Sequence, residues 1–121
     1  MNIETYTVNG KTVAAVTGGG QLITDAQSAL DLLMTVRHET GAERMAVCKE
    51  AVAEDFFILR SGSAGEILEK FVTYRMKLSI YGDYSRYTSK PLRDFIRESN
   101  RGSQVFFTDG LESAVEKLAS V

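Results

Sequence analysis

The pattern of apolar and polar positions changes period several times along the chain, and each change marks an element. Ile3-Glu4-Thr5-Tyr6-Thr7-Val8 and Lys11-Thr12-Val13-Ala14-Ala15-Val16 are β-rich runs on either side of Asn9-Gly10. That dipeptide accepts the two positive φ angles of a type I′ turn, so a β-hairpin is expected to open the fold. After Gly18-Gly19-Gly20 the spacing becomes helical. Ala26, Ala29, Leu30, Leu33 and Val36 form one stripe, Thr24 with Gln27 predicts a capping box, and Gly41 stands where a left-handed residue ends a helix. Arg44-Met45-Ala46-Val47-Cys48-Lys49 is short and apolar at its centre, as a buried strand is.

A loop over residues 50–61 leads into the strongest amphipathic pattern of the chain. Ala64, Ile67, Leu68, Phe71 and Val72 repeat at helical spacing and are all expected in the core, with Ser63 and Glu66 as the capping box. Lys77-Leu78-Ser79-Ile80-Tyr81 predicts a strand that ends at Gly82-Asp83. Ser89-Lys90-Pro91 predicts a helix start, Leu92, Phe95 and Ile96 its inward face, and Gly102 its end. Residues 104–108 read as the last strand, and Asp109 with Glu112 as the cap of a final helix carrying Leu111, Val115 and Leu118.

The resulting order, ββαβαβαβα, predicts a single α/β domain over residues 1–121. An N-terminal hairpin should be followed by a largely parallel sheet with right-handed crossovers and packed helices. The order of the strands in the sheet is left open by the pattern.

Composition narrows the function classes. The chain has 121 residues, 44% hydrophobic and 25% charged, the balance of an ordinary globular protein. No run approaches the ~18 apolar residues of a membrane span, the first residues lack a signal-peptide pattern, and Cys48 is the only cysteine. The expected compartment is a reducing cytoplasm, without membrane association. A net charge of −2 argues against a polycation that coats nucleic acid. Residues 75–101 nevertheless hold seven basic side chains against three acidic ones, and Lys90, Arg93, Arg97 and Arg101 recur every three or four residues as one helical ridge. That ridge is a candidate surface for an acidic partner or, with the nearby tyrosines, for weak nucleic-acid association.

In open α/β sheets, ligands collect beyond the carboxyl ends of the strands, where loops enter helix N-termini. The candidate ligand- or partner-binding residues on that rim are Arg60, Ser61, Gly62, Ser63, Asp83, Ser85 and Arg86. No nucleophile–base pair is visible, so no catalytic residues are assigned. A small enzyme using Asp83 or Asp55 as general base on an anionic substrate is the alternative. Gly10-Lys11-Thr12 lacks the upstream glycine of a phosphate-binding loop, Gly18-Gly19-Gly20 lacks dinucleotide-fingerprint spacing, and His38 is the only histidine, so neither a cofactor nor a metal is expected.

The runs Asp55-Phe56-Phe57, Leu59-Arg60-Ser61-Gly62 and Ala64-Gly65-Glu66-Ile67-Leu68-Glu69-Lys70-Phe71, with Gly82-Asp83-Tyr84-Ser85 and Tyr87-Thr88-Ser89, resemble a bacterial family of unknown function. The element order is also distantly similar to the STAS domains of anti-sigma factor antagonists, in which a serine after a strand and before an apolar helix is phosphorylated. Arg60-Ser61-Gly62-Ser63 occupies the corresponding place, with Arg60 where that motif has an acidic residue and Gly62 where it has a second serine. This likeness implies a regulatory module with Ser61 as its phosphorylation candidate. Phosphate there would lie near a helix N-terminus and beside Arg60. The expected partner is a protein or a small anionic ligand, with homodimerisation through a helix face as a further option.

Overall fold

The computed structural model describes all residues, Met1–Val121. Five strands, β1 (Asn2–Val8), β2 (Lys11–Thr17), β3 (Arg44–Cys48), β4 (Lys77–Tyr81) and β5 (Val105–Thr108), form one sheet in the order β1-β2-β3-β4-β5. β1 and β2 are antiparallel, joined by Asn9-Gly10 with φ of 53° and 76° as a primed turn requires, and β2 to β5 run parallel. The strands follow one another in space as they do in sequence. Right-handed crossovers that all step in the same direction must put their helices on one face. That face carries α1 (Ala26–Thr40), α2 (Ser63–Thr73) and α3 (Lys90–Arg101), while α4 (Leu111–Ala119) follows the last strand and lies on the other.

Strand alternation divides the core accordingly. Ala14, Val16, Met45, Val47, Leu78, Ile80, Val105 and Phe107 point toward α1 to α3, and Val13, Ala46 and Phe106 point toward α4. Ser79 lies on the α4 face, fully buried, and its hydroxyl is satisfied by Thr108 Oγ1 at 3.0 Å. The carboxyl end of α4 is held by Arg44, which donates to the Leu118 and Val121 carbonyls at 3.0 and 2.6 Å, and by Lys11, which donates to Val121 O at 2.9 Å. Cations at a helix C-terminus also complement its dipole.

Several local expectations change. The cap of α1 is Asp25 with Ser28, one residue beyond Thr24 and Gln27, and its buried stripe is Ala29, Leu32, Leu33 and Val36. Leu30 is only partly buried. In α2, Val72 is 57% exposed, so the buried face narrows to Ala64, Ile67 and Phe71. Ser63 is the first residue of that helix and not its cap. The final helix is capped at Gly110, with Ser113 Oγ accepting from the Gly110 N–H and donating to the Asp109 carboxylate at 2.7 Å. Between β3 and α2 the chain forms three short 3-10 turns, Lys49–Ala51, Glu54–Phe57 and Leu59–Ser61, that bury Phe56 and Phe57. No helix is long and apolar enough to cross a membrane.

Candidate functional site

The site is built where β3 and β4 end side by side. Lys49 leaves β3 into the first 3-10 turn, and Gly82 follows β4. A Cβ on Gly82 would stand 2.7 Å from Lys49 Cβ, closer than side-chain carbons approach, so the missing side chain makes room for the lysine stem. Lys49 is only 8% exposed. Its ammonium lies 5.4 Å from the Phe57 ring centre and 5.0 Å from that of Tyr87, within cation–π range of both. It takes part in none of the three ion pairs of the protein and donates no internal hydrogen bond. Three ammonium donors are therefore open toward the cleft.

That cleft, about 460 Å³, is lined by Gln21, Lys49, Glu50, Val52, Glu54, Asp83 and Arg86. Its two walls are stapled together. Glu54 accepts from Arg86 at 3.0 Å and from the Tyr87 hydroxyl at 2.8 Å, which ties the β3–α2 connection to the β4–α3 loop. The Gln21 side is held by main-chain bonds, with Leu22 and Ile23 donating to Ala51 O at 2.8 and 2.9 Å and Ala53 donating to Ile23 O at 2.9 Å. Hydrogen bonds from Ser85, including its N–H at 2.9 Å, hold the Asp83 carboxyl below the usual carboxylate range, and the charges of Lys49 and Arg86 act in the same direction. Beneath the cleft, the Tyr84 hydroxyl donates to Ile80 O at 2.7 Å. Burial first, then Tyr87, Glu50 and Cys48, pushes its pKa far above that of a free tyrosine. Phe57, Tyr84, Tyr87 and Phe107 make the aromatic floor.

The structure divides the rim residues between two places. Asp83 and Arg86 share the cleft with Lys49, and Ser85 stands at its edge bonded to Asp83. Arg60 lines a separate cleft of about 450 Å³ with Phe57, Ile58, Leu59, Ser89 and Pro91. Ser61, Gly62 and Ser63 line neither. Ser61 is exposed, but its hydroxyl donates to Asp55 O at 2.8 Å and accepts from the Ser63 N–H at 3.1 Å. Gly62, with φ of 80°, is the residue before α2 and has no side chain to cap it, so Ser61 reaches over to satisfy one of the free N–H groups. The Asp55 side chain is exposed and belongs to neither cleft.

On α3, Lys90 pairs with Asp94 at 2.7 Å and Arg97 pairs with the same carboxylate, while Arg93 and Arg101 are in no ion pair. The hydrogen bond from Lys90, with the charges of Lys90 and Arg97, holds Asp94 below the usual carboxylate range. Tyr84 packs into the aromatic floor and Tyr87 turns toward Lys49 and Glu54, so neither lies along the ridge. No group of three His, Cys, Asp or Glu side chains is gathered as a metal site.

Lys49, Gln21, Glu50 and Tyr87 are the members of the site that the rim argument missed. Lys49 reads in sequence as the polar end of a buried strand. The one signal that could have singled it out is position: it is the residue that leaves the carboxyl end of a central parallel strand, where such sheets place their ligands. Comparison with curated proteins and with solved structures gives no match. The family model described as Domain of unknown function (DUF4180) matches residues 8–118, nearly the whole fold and both walls of the cleft, and the chain belongs to that family.

Proposed function

We propose that the protein is a regulatory ligand-binding module, acting in a reducing cytoplasm, whose ligand is a small polar molecule with an anionic group. The anionic group sits on the Lys49 ammonium, and hydroxyl or amine donors of the ligand face Glu50 and Asp83. The observation that carries this reading is a lysine whose stem is packed away, leaving the residue 8% exposed, and whose ammonium has no internal hydrogen-bond acceptor and faces the cleft. The packed stem holds the ammonium in one place with its donors open to the cleft, and a bound carboxylate or phosphate would accept from them in a charge-assisted hydrogen bond. The lowered pKa of Asp83 keeps it ionised and makes it a weak proton acceptor near neutrality, which favours binding over general-base chemistry.

The test is a thermal-shift screen against amino acids, hydroxy acids and sugar phosphates, followed by calorimetry on any hit. A ligand at a hundredfold excess over its Kd stabilises by about 2.7 kcal/mol and should raise Tm by several degrees. Lys49→Met keeps the apolar stem, removes the charge and should change the stability of the unliganded protein by less than ~1 kcal/mol while abolishing the ligand-induced shift. A hit that stabilises the Lys49→Met variant equally would place binding elsewhere, and the absence of any hit would count against the reading.

A second reading is phosphorylation of Ser61, the STAS-like switch. It is supported by an exposed hydroxyl next to Arg60 and 3.1 Å from the Ser63 N–H at the start of α2. Modification would remove the bond to Asp55 O and place a dianion against free helix N–H groups. Intact-mass analysis of protein from its native host checks it, and a uniformly unmodified Ser61 would remove it.

A further inference from the structure

The two edges of the sheet are finished differently. β5 is four residues long, and its outer side is closed by Asn100, whose amide accepts from the Phe107 N–H at 2.8 Å and donates to Phe107 O at 3.2 Å. β1 is seven residues long, contains no proline or lysine, and has nothing along its outer side. Long, unguarded edge strands are pairing templates that proteins ordinarily blunt. The register fixes which groups are free. Val8 and Lys11 close the two-residue turn as a hydrogen-bonded pair, so Tyr6, Glu4 and Asn2 also bond to β2, and the N–H and C=O groups of Ile3, Thr5 and Thr7 point outward.

We infer that β1 pairs antiparallel with β1 of a second copy of this chain, making one continuous sheet through a two-fold axis at Thr5. Only that axis uses all three outward residues: Thr5 meets its own copy, and Ile3 meets Thr7 of the other chain. The same register sets Glu4 opposite Tyr6 of the second copy, so the phenol, which donates to Glu4 of its own chain at 3.2 Å, can exchange that bond for one across the pair. Shifting the axis to Glu4 would oppose two like charges directly, which cross-strand pairs disfavour. Shifting it to Tyr6 would leave Ile3 unpaired. The partner is identified as a second copy because this register pairs the outward backbone groups of the strand with themselves and sets each Glu4, the only charge on β1, opposite a phenol and away from the other Glu4.

Sedimentation velocity of the full chain from ~1 to ~100 μM tests the pairing. The expected species is twice the monomer mass, and Thr5→Pro is expected to sediment as a monomer with an unchanged circular dichroism spectrum. Proline removes an outward N–H that the hairpin itself does not use, a substitution edge strands tolerate. Independently, Thr5→Cys in a Cys48→Ser background should form an intermolecular disulfide on mild oxidation, since residues in a hydrogen-bonded antiparallel pair have Cα atoms about 5.5 Å apart. Glu69→Cys on the exposed side of α2, in the same background, should not. A wild-type chain that stays monomeric across this range overturns the inference. So does a dimer that survives Thr5→Pro in folded protein, or cross-linking at Glu69 equal to that at Thr5.

Discussion

Two stretches of the β3–α2 connection, separated by about ten residues, treat their polar groups in opposite ways. At Arg60-Ser61-Gly62-Ser63 the hydroxyl of Ser61 is spent on structure, bonded both to Asp55 O and to the Ser63 N–H. At Lys49 the chain packs the stem away and leaves the ammonium without an internal hydrogen-bond acceptor, over two aromatic rings and open to a cleft that carboxylates also line. A polar group that completes a turn lowers the energy of the fold by itself. One held without an internal partner but open to the cleft adds no such bond and stays available to a ligand. The contrast separates architecture from candidate function more sharply than residue type does, because serines and glycines are what a helix start needs in any case.

Perturbing the packing that both stretches share should have the largest effect. Phe56 is fully buried between Phe57 and Phe107, and Phe56→Ala should cost about 3–5 kcal/mol by urea unfolding, loosening cap and cleft together. Loss of one without the other would show that they are independently held. Gly82→Ala acts on the Lys49 side alone. Its new methyl meets Lys49 Cβ at 2.7 Å, so destabilisation of about 1–3 kcal/mol is expected, together with loss of any ligand-induced stabilisation. If Gly82→Ala left ligand binding intact, the position of the lysine stem would not be what defines the site.

Tyr84 gives the next effect and a pH signature. Its raised pKa means that the native state favours the neutral phenol, so this contribution to stability is complete below the unfolded tyrosine pKa of about 10 and is lost as pH rises above it. Alkaline unfolding should therefore begin above pH ~10, with one phenol silent in ultraviolet titration until the fold opens. Tyr84→Phe should cost about 1 kcal/mol at neutral pH, from the lost bond to Ile80 O, and flatten that alkaline decline. A Tyr84 that ionises with the other tyrosines while the fold persists would contradict this placement. The smallest effect belongs to the other stretch. Ser61→Ala should cost about 0.5–1 kcal/mol, the magnitude of a lost helix cap, and leave cleft binding unchanged. Altered ligand affinity in that variant would join the two stretches functionally.

Much of the fold was legible because it depends on local chemistry. Asn9-Gly10 forms the expected turn, Gly41 ends α1 in the left-handed conformation, and Ser89 with Pro91 starts α3. The misses are local as well. Asp25 outcompeted Thr24 as a cap, and Val72 extended an apolar repeat past the width of the face that α2 buries. The candidate site was legible only as a region. Strand ends point to Asp83 and Arg86, but equally to Arg60 and Ser61, which the fold sets apart beyond Phe57.

The sequence by itself determined the elements, their order and the parallel sheet that follows the hairpin, since turn residues and apolar period act over a few neighbours. Tertiary structure alone decided that the strands lie in sequential order with α4 on its own face. It also decided that Gly82 opens room for Lys49, and that Asn100 closes one edge of the sheet while β1 stays open. Lys49 and Gly82, like Asn100 and Phe107 at the edge, meet only after adjacent strands and helices have packed. Whether a polar group is satisfied depends on every neighbour it meets in space, and no spacing along the chain records that.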